Sequence, residues 1–119
     1  MTKRRFPNAV YSTGTEPDPR FSLANERTFL AWIRTSLALV AAGVALEALE
    51  LPIQEDLRFV AAILFVALGL LASANAWVGW AMTEVAMRKS VALPGPTLSI
   101  VLSVGIILAT ALIGVGLFL

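Results

Sequence analysis

Long apolar stretches alternate with short polar segments along this chain of 119 residues. The stretches 59–83 and 98–119 contain no charged residue, and each is long enough to cross a hydrocarbon core of about 30 Å as a helix. A third apolar stretch, 29–50, precedes them but contains charges. The pattern therefore predicts an all-α integral membrane protein with three transmembrane helices.

The first predicted span cannot leave all of its charges in water. Its uncharged part, Thr35–Leu46, has 12 residues, which gives about 18 Å of helix against a hydrocarbon core of about 30 Å. The span must therefore reach past Arg34, past Glu47, or past both. Charged side chains at that depth usually face a bundle interior or a water-filled cavity. A long arginine side chain at the edge can also extend to the interface.

Arginine recurs every seven residues where the chain approaches this span, at Arg20, Arg27 and Arg34. A seven-residue step drifts by only about 20° on a straight helix, so the three guanidinium groups form one line about 21 Å long, here named the arginine stripe. Asp18 and Pro19 are typical of a helix start, because aspartate caps free N–H groups and proline suits the first helical position. We therefore expect an amphipathic cytoplasmic extension before the first span. An alanine follows each arginine four residues later, at Ala24, Ala31 and Ala38.

The distribution of Lys and Arg predicts the topology. The chain carries six of them up to Arg34, one in the first loop and two in the second loop. Because cytoplasmic segments are enriched in Lys and Arg, we expect the N-terminus in the cytoplasm and the C-terminus outside. Residues 1–17 lack helical or strand periodicity, which predicts a flexible cytoplasmic tail before a membrane domain at 18–119. Its basic cluster, Lys3-Arg4-Arg5, is not followed by the apolar segment of a cleaved signal peptide.

Composition restricts the chemistry further. The chain is 58% hydrophobic and 14% charged, with a mean hydropathy of +0.82, which is typical of a membrane protein. It contains no Cys and no His, so the usual thiolate nucleophile, general base and zinc ligands are absent. The carboxylates Glu26, Glu47 and Glu84 stand beside no nucleophile motif. We therefore predict no enzymatic activity, no metal, no cofactor and no nucleic-acid partner.

Polar residues in or near the spans are candidate partners for the arginines. Glu84 and Arg88 have the i, i+4 spacing of a helical ion pair, and Asn75 is expected at about the depth of Arg34. For Arg34 three alternatives stay open: extension to the interface, a pair with Asn75 or Glu84 of a neighbouring helix, and a pore lining. The candidate residues that face a pore, an anion or lipid are Arg20, Arg27, Arg34 and Arg88. The predicted structural counter-ions or polar partners are Asn25, Glu26, Asn75 and Glu84.

Two signatures in the chain resemble a known family. Asp18-Pro-Arg20 with Leu23–Leu37, and later Ala86-Met-Arg88 with Leu93-Pro94, are similar to the motifs of the YidH-like family of small inner-membrane proteins. The resemblance covers about residues 18–119. It implies three spans and a location in the cell (inner) membrane, for a family without a settled function.

The segment Ala24–Leu30 also resembles the core motif of the membrane domain of the vacuolar transporter chaperone complex, which makes polyphosphate and passes it across a membrane. This resemblance implies a pentamer in which three-helix units surround a pore. The positions of Arg20 and Arg27 would then face the polyanion. Glu26 would be a structural or inter-subunit partner.

These observations support two hypotheses of different classes. In the first, the protein is a homo-oligomer whose arginine-bearing helices line a path for an anion or polyanion, because three helices alone cannot enclose a pore. In the alternative, it is a structural or adaptor protein without conductance. Its arginines then bind anionic lipid headgroups, or a partner protein, at the cytoplasmic leaflet.

Overall fold

The computed structural model describes residues 5–119, and every regular element in that part of the chain is a helix. Three of these helices are long and apolar enough to cross a membrane, which confirms the predicted fold class. The elements are α1 (Asn8–Tyr11), α2 (Pro19–Ala48), α3 (Glu55–Arg88) and α4 (Thr97–Leu117).

Helix α2 begins where the sequence predicts. Asp18 is its N-cap, and the Asp18 Oδ1 accepts a hydrogen bond of 2.9 Å from the backbone N–H of Arg20. Pro19 occupies the first helical position, where its missing N–H costs nothing. The helix continues without interruption for 30 residues, so the amphipathic extension and the first apolar stretch form one continuous helix.

Helices α2 and α3 form an antiparallel hairpin held by hydrogen bonds and close backbone contact. The buried Ser36 hydroxyl donates to the Gly69 carbonyl at 2.7 Å. A methyl group added at Gly69 would lie 2.6 Å from Val40 Cγ2 and 3.0 Å from the Ser36 carbonyl oxygen. The absence of a side chain at this position therefore allows the two helices to approach, as small residues do in membrane bundles.

Helix α4 packs antiparallel to α3. Leu102 of α4 joins Leu39, Leu68 and Ala72 in one apolar core. At the opposite end, the Gln54 backbone N–H donates to the carbonyl of Gly116 at 2.9 Å. Helix α4 therefore runs parallel to α2, and a groove remains between these two helices.

Residues 5–17 lie against the C-terminal end of α3, a contact that their composition did not predict. The Thr15 N–H donates to the Arg88 carbonyl at 3.0 Å. Gly14 has a φ of 57°, and a Cβ at this glycine would collide with the same Arg88 carbonyl. The flexibility of the tail stays a prediction, and its basic residues Lys3 and Arg4 lie outside the described residues.

Candidate functional site

The arginine stripe lies on the face of α2 that the rest of the chain leaves uncovered. All three arginines are exposed, as are the alanines that accompany them. The opposite face of α2 packs on α3 through its buried residues, which are Asn25, Ser36, Leu39, Gly43 and Leu46. Because both faces belong to one continuous helix, contact with α3 directs the arginines away from the bundle.

The structure separates Arg20 from the other two members of the stripe. Arg20 forms a two-point ion pair with Asp18, with Nε–Oδ1 at 3.2 Å and Nη2–Oδ2 at 2.9 Å. Hydrogen bonds from the Arg20 side chain and backbone hold the pKa of Asp18 below its ordinary value. Within residues 5–119, neither Arg27 nor Arg34 takes part in a salt bridge. The unpaired positive charge of the stripe is therefore carried by Arg27 and Arg34.

The length of helix α4 allows the depth of Arg34 in a membrane to be estimated. Its 21 residues measure about 31 Å, which matches the thickness of a hydrocarbon core. The first turn of α4 lines the same cavity as Thr28 and Trp32 of α2, so these residues would lie near one boundary if α4 spans the hydrocarbon core. Arg34 follows them by two to six residues, which puts its Cα roughly 3–9 Å below that level. Arg27 lies at or just outside the boundary.

Glu84 and Arg88 form a buried ion pair at this end of the bundle, as their spacing predicts. The two residues are only 2% and 3% exposed. Arg88 Nε lies 3.5 Å from Glu84 Oε1, and Arg88 Nη2 lies 3.4 Å from Glu16 Oε1. Ser22 of α2 donates a hydrogen bond of 3.0 Å to Glu84 Oε1. The pair therefore connects α2, α3 and the N-terminal segment.

Arg88 was expected to face a pore, an anion or lipid, and the structure buries it instead. The Tyr11 ring lies 4.7 Å from its guanidinium carbon, and the Tyr11 carbonyl accepts from Nη1 at 3.3 Å. Within residues 5–119 its Nε makes no hydrogen bond, and it lies 3.5 Å from Glu84 Oε1. The sequence spacing indicated Glu84 as a partner. Nothing in it indicated Tyr11 or Glu16, because both belong to a segment without periodicity.

The other predicted polar partners, Asn25, Glu26 and Asn75, lie at three different places in the structure. Asn25 is buried, and its Nδ2 donates to the Trp80 carbonyl at 3.0 Å. Glu26 is exposed and makes no salt bridge within residues 5–119. Asn75 is half-buried and lines a cavity. Arg34 pairs with neither Asn75 nor Glu84 inside the described chain, because it lies on the opposite face of α2.

Two connected cavities occupy the groove between α2 and α4. The larger has a volume of about 620 Å³ and is lined by residues of both helices, of α3 and of the loop before α4, including Asn25, Asn75 and Ser99. The smaller has a volume of about 330 Å³ and continues along the two helices to Ile106. The cavities share Thr28, Trp32 and Ser99 on their walls.

The arginines and the cavity walls offer groups that can bind a ligand. In the part of the chain that the structure describes, no group of three or more acidic residues is placed to hold a metal ion. Arg27 and Arg34 can each attract an anion and donate several hydrogen bonds to its oxygens. The cavities offer amide and hydroxyl groups without any ionised side chain.

Comparison with known proteins identifies relatives that match most of the chain. A family described as a domain of unknown function, DUF202, matches residues 20–86. The inner membrane protein YidH of Escherichia coli (strain K12) is 43% identical over 110 residues, which cover 89% of this chain and 92% of that protein. The uncharacterized protein Rv2272 of Mycobacterium tuberculosis is 47% identical over 85 residues, which cover 70% of this chain and 69% of that protein. No solved structure matches this chain. The chain therefore belongs to the YidH-like DUF202 family of membrane proteins.

Proposed function

We propose that this protein forms a homo-oligomer in the membrane in which the α2 helices line a path for an anion or polyanion. The observation that supports this function is the exposure of Arg27 and Arg34, without an ion pair in the described chain, on the face of α2 turned away from α3. A guanidinium group at the depth of Arg34 is unfavourable against lipid tails. A water-filled axis surrounded by several α2 helices would remove this penalty and attract anions.

The surface beside the arginines suits contact between copies. Ala24, Ala31 and Ala38 are exposed next to the stripe, and small side chains allow helices of neighbouring copies to approach closely. By resemblance to the vacuolar transporter chaperone domain, the assembly would be a pentamer. With the N-terminus in the cytoplasm, Arg27 would lie at the cytoplasmic mouth and Arg34 farther along the path.

The test is the ion selectivity of purified full-length protein in planar lipid bilayers. We expect currents that prefer chloride to potassium in a salt gradient. Arg27→Ala and Arg34→Ala should each lower the anion-to-cation permeability ratio by at least about twofold, because each removes a charge from every subunit. The charge reversal Arg27→Glu should lower the ratio further.

Lys89→Ala is the matched control, since Lys89 is an exposed cation at the same end of the bundle but outside α2. This variant should keep the selectivity of the unmodified protein. Subunit counting by native mass spectrometry accompanies the currents. A monomeric protein, an assembled but silent protein, or a preference for cations would each contradict the proposed path.

A second candidate function is the binding of anionic lipid by the same arginines, without conductance. It is favoured by the direction of side chains in a helix, which lean toward the N-terminus. The guanidinium of Arg34 can therefore extend back toward the headgroups from a Cα only about 3–9 Å below the boundary. This function predicts that phosphatidylglycerol stays bound in preference to phosphatidylethanolamine, and that Arg34→Ala abolishes the preference while no current is measured.

A further inference from the structure

The larger cavity in the α2–α4 groove has a partly polar wall, although it lies at the edge of the predicted hydrocarbon core. Its wall combines Trp32 and Leu98 with amide and hydroxyl side chains, and it includes no Asp, Glu, Lys or Arg. Polar groups at membrane depth need hydrogen-bond partners, because lipid tails cannot supply them. The composition of this wall therefore indicates an occupant that can form hydrogen bonds.

The wall contains hydrogen-bond donors that the chain leaves unused. Within residues 5–119, the side chains of Asn75 and Ser99 make no hydrogen bond. Helix α4 begins here without a side-chain cap, and Leu98 and Ser99 of its first turn line the cavity. The N–H groups of a first turn lack helical acceptors and carry partial positive charge. An occupant with several acceptor oxygens and negative charge complements this wall.

The smaller cavity extends the groove along a less polar wall. Beyond Ser99 it is bordered by Leu102, Ser103 and Ile106 of α4 and by Ala31 and Thr35 of α2. The Ser103 hydroxyl is already used, because it donates to the Ser99 carbonyl. The step from Ser99 to Ile106 corresponds to about 10 Å along the helix axis. The groove therefore becomes less polar with depth, in the same order as the headgroup and acyl chain of one lipid molecule.

We propose that the α2–α4 groove binds one glycerophospholipid per chain from the leaflet at the N-terminal end of α2. The phosphate and ester oxygens lie in the larger cavity, where they accept hydrogen bonds from Asn75, Ser99 and the first turn of α4. One acyl chain follows the smaller cavity between α2 and α4. No arginine of the stripe lines the groove, so lipid retention can be tested separately from anion conductance. The groove does share Ala31 with the surface proposed for contact between copies.

The experiment measures lipid retained by the full-length protein. The protein is reconstituted in nanodiscs of phosphatidylethanolamine and phosphatidylglycerol, extracted into mild detergent and analysed by native mass spectrometry. We expect one phospholipid per chain to stay bound. Ser99→Phe fills the space where both cavities meet and should reduce retention roughly tenfold, which corresponds to about 1.4 kcal/mol. Ile100→Phe, which introduces the same side chain at an exposed neighbour outside both cavities, should retain the lipid.

A second pair of variants with smaller structural changes tests the proposal if Ser99→Phe fails to fold. Asn75→Ala removes one donor but leaves the cavity open, and it should weaken retention several-fold, whereas Ser73→Ala on the exposed side of α3 should not. Equal retention by the unmodified protein, Ser99→Phe and Asn75→Ala would overturn the proposal. A photo-crosslinker at position 99 that labels a second copy of the chain and no lipid would overturn it as well, because another subunit would then occupy the groove.

Discussion

Arg88 and Arg34 carry the same guanidinium group, yet their surroundings are opposite. Arg88 is 3% exposed and has Glu84, Glu16 and Tyr11 around it. Arg34 is exposed and takes part in no salt bridge within the described chain. The fold pairs the charge of Arg88 internally and leaves the charge of Arg34 exposed on the surface of the chain. The first is expected to affect folding, and the second to affect binding or assembly.

The largest expected effect is on folding, from removal of the buried charge. Arg88→Ala leaves the Glu84 carboxylate buried without its cationic partner and opens the site beneath Tyr11. Breaking a buried pair in this way costs about 3–5 kcal/mol. The free energy of unfolding, measured by denaturant titration in detergent with circular dichroism, should fall by that amount. Lys89→Ala removes an exposed neighbouring charge and should change stability very little, so equal losses in the two variants would contradict this assignment.

Glu84→Gln should have a smaller effect of the same kind. The substitution preserves the shape of the side chain and an acceptor for Ser22, but it removes the negative charge nearest to Arg88. Because Glu16 still contacts Arg88, we expect a loss of about 1–3 kcal/mol in the same titration. If Glu84→Gln cost as much as Arg88→Ala, the contribution of Glu16 would be refuted.

Arg34→Ala should change folding least among these charge deletions. An exposed residue without partners contributes within about 0.5 kcal/mol to the stability of the chain. The same variant should alter ion selectivity or lipid preference, so function and stability separate. A loss of several kcal/mol on Arg34→Ala would mean that the arginine is an internal structural group, and the contrast with Arg88 would disappear.

The smallest expected effect is a pH dependence at the surface of the Arg88 site. The hydrogen bond from Arg5, together with the charge of Arg88, holds the pKa of Glu16 below its ordinary value of 4.5. A depressed folded-state pKa means that this carboxylate stabilises the N-terminal segment above pH 4.5, and the stabilisation is lost as the pH falls through the lowered pKa. Release of the segment would expose Trp80, which is 8% exposed beside Tyr11. It would also remove Phe6 from Trp77, which is already 46% exposed.

Tryptophan fluorescence between pH 7 and pH 3 measures this release. We expect a red shift of the emission at the acidic end. Glu16→Gln should show the shifted spectrum already at pH 7 and a weaker pH dependence. An unchanged spectrum in both proteins would show that Glu16 does not hold the segment.

Much of the fold was predictable because local rules govern it. The start of α2 follows from Asp18 and Pro19, and the Glu84–Arg88 pair follows from i, i+4 spacing. Both depend on residues within one helical turn. The burial of Arg88 and the engagement of Arg20 by Asp18 were not predicted. The seven-residue spacing does not distinguish the members of the arginine stripe from one another. Arg20 differs from the other two because it lies beside Asp18, the carboxylate that caps the helix.

The sequence by itself determined that this chain is a three-helix membrane protein of the YidH-like DUF202 family, because apolar length and a contiguous motif are properties of the chain read in order. Only the tertiary structure decided which charges are internal. The groups that surround Arg88 at Tyr11 and Glu16 lie 77 and 72 residues away, and no periodicity connects them. The groove between α2 and α4 likewise exists only because both helices pack on α3. Contacts between distant residues depend on how the helices pack, and this packing separates the internal Arg88 from the exposed Arg27 and Arg34.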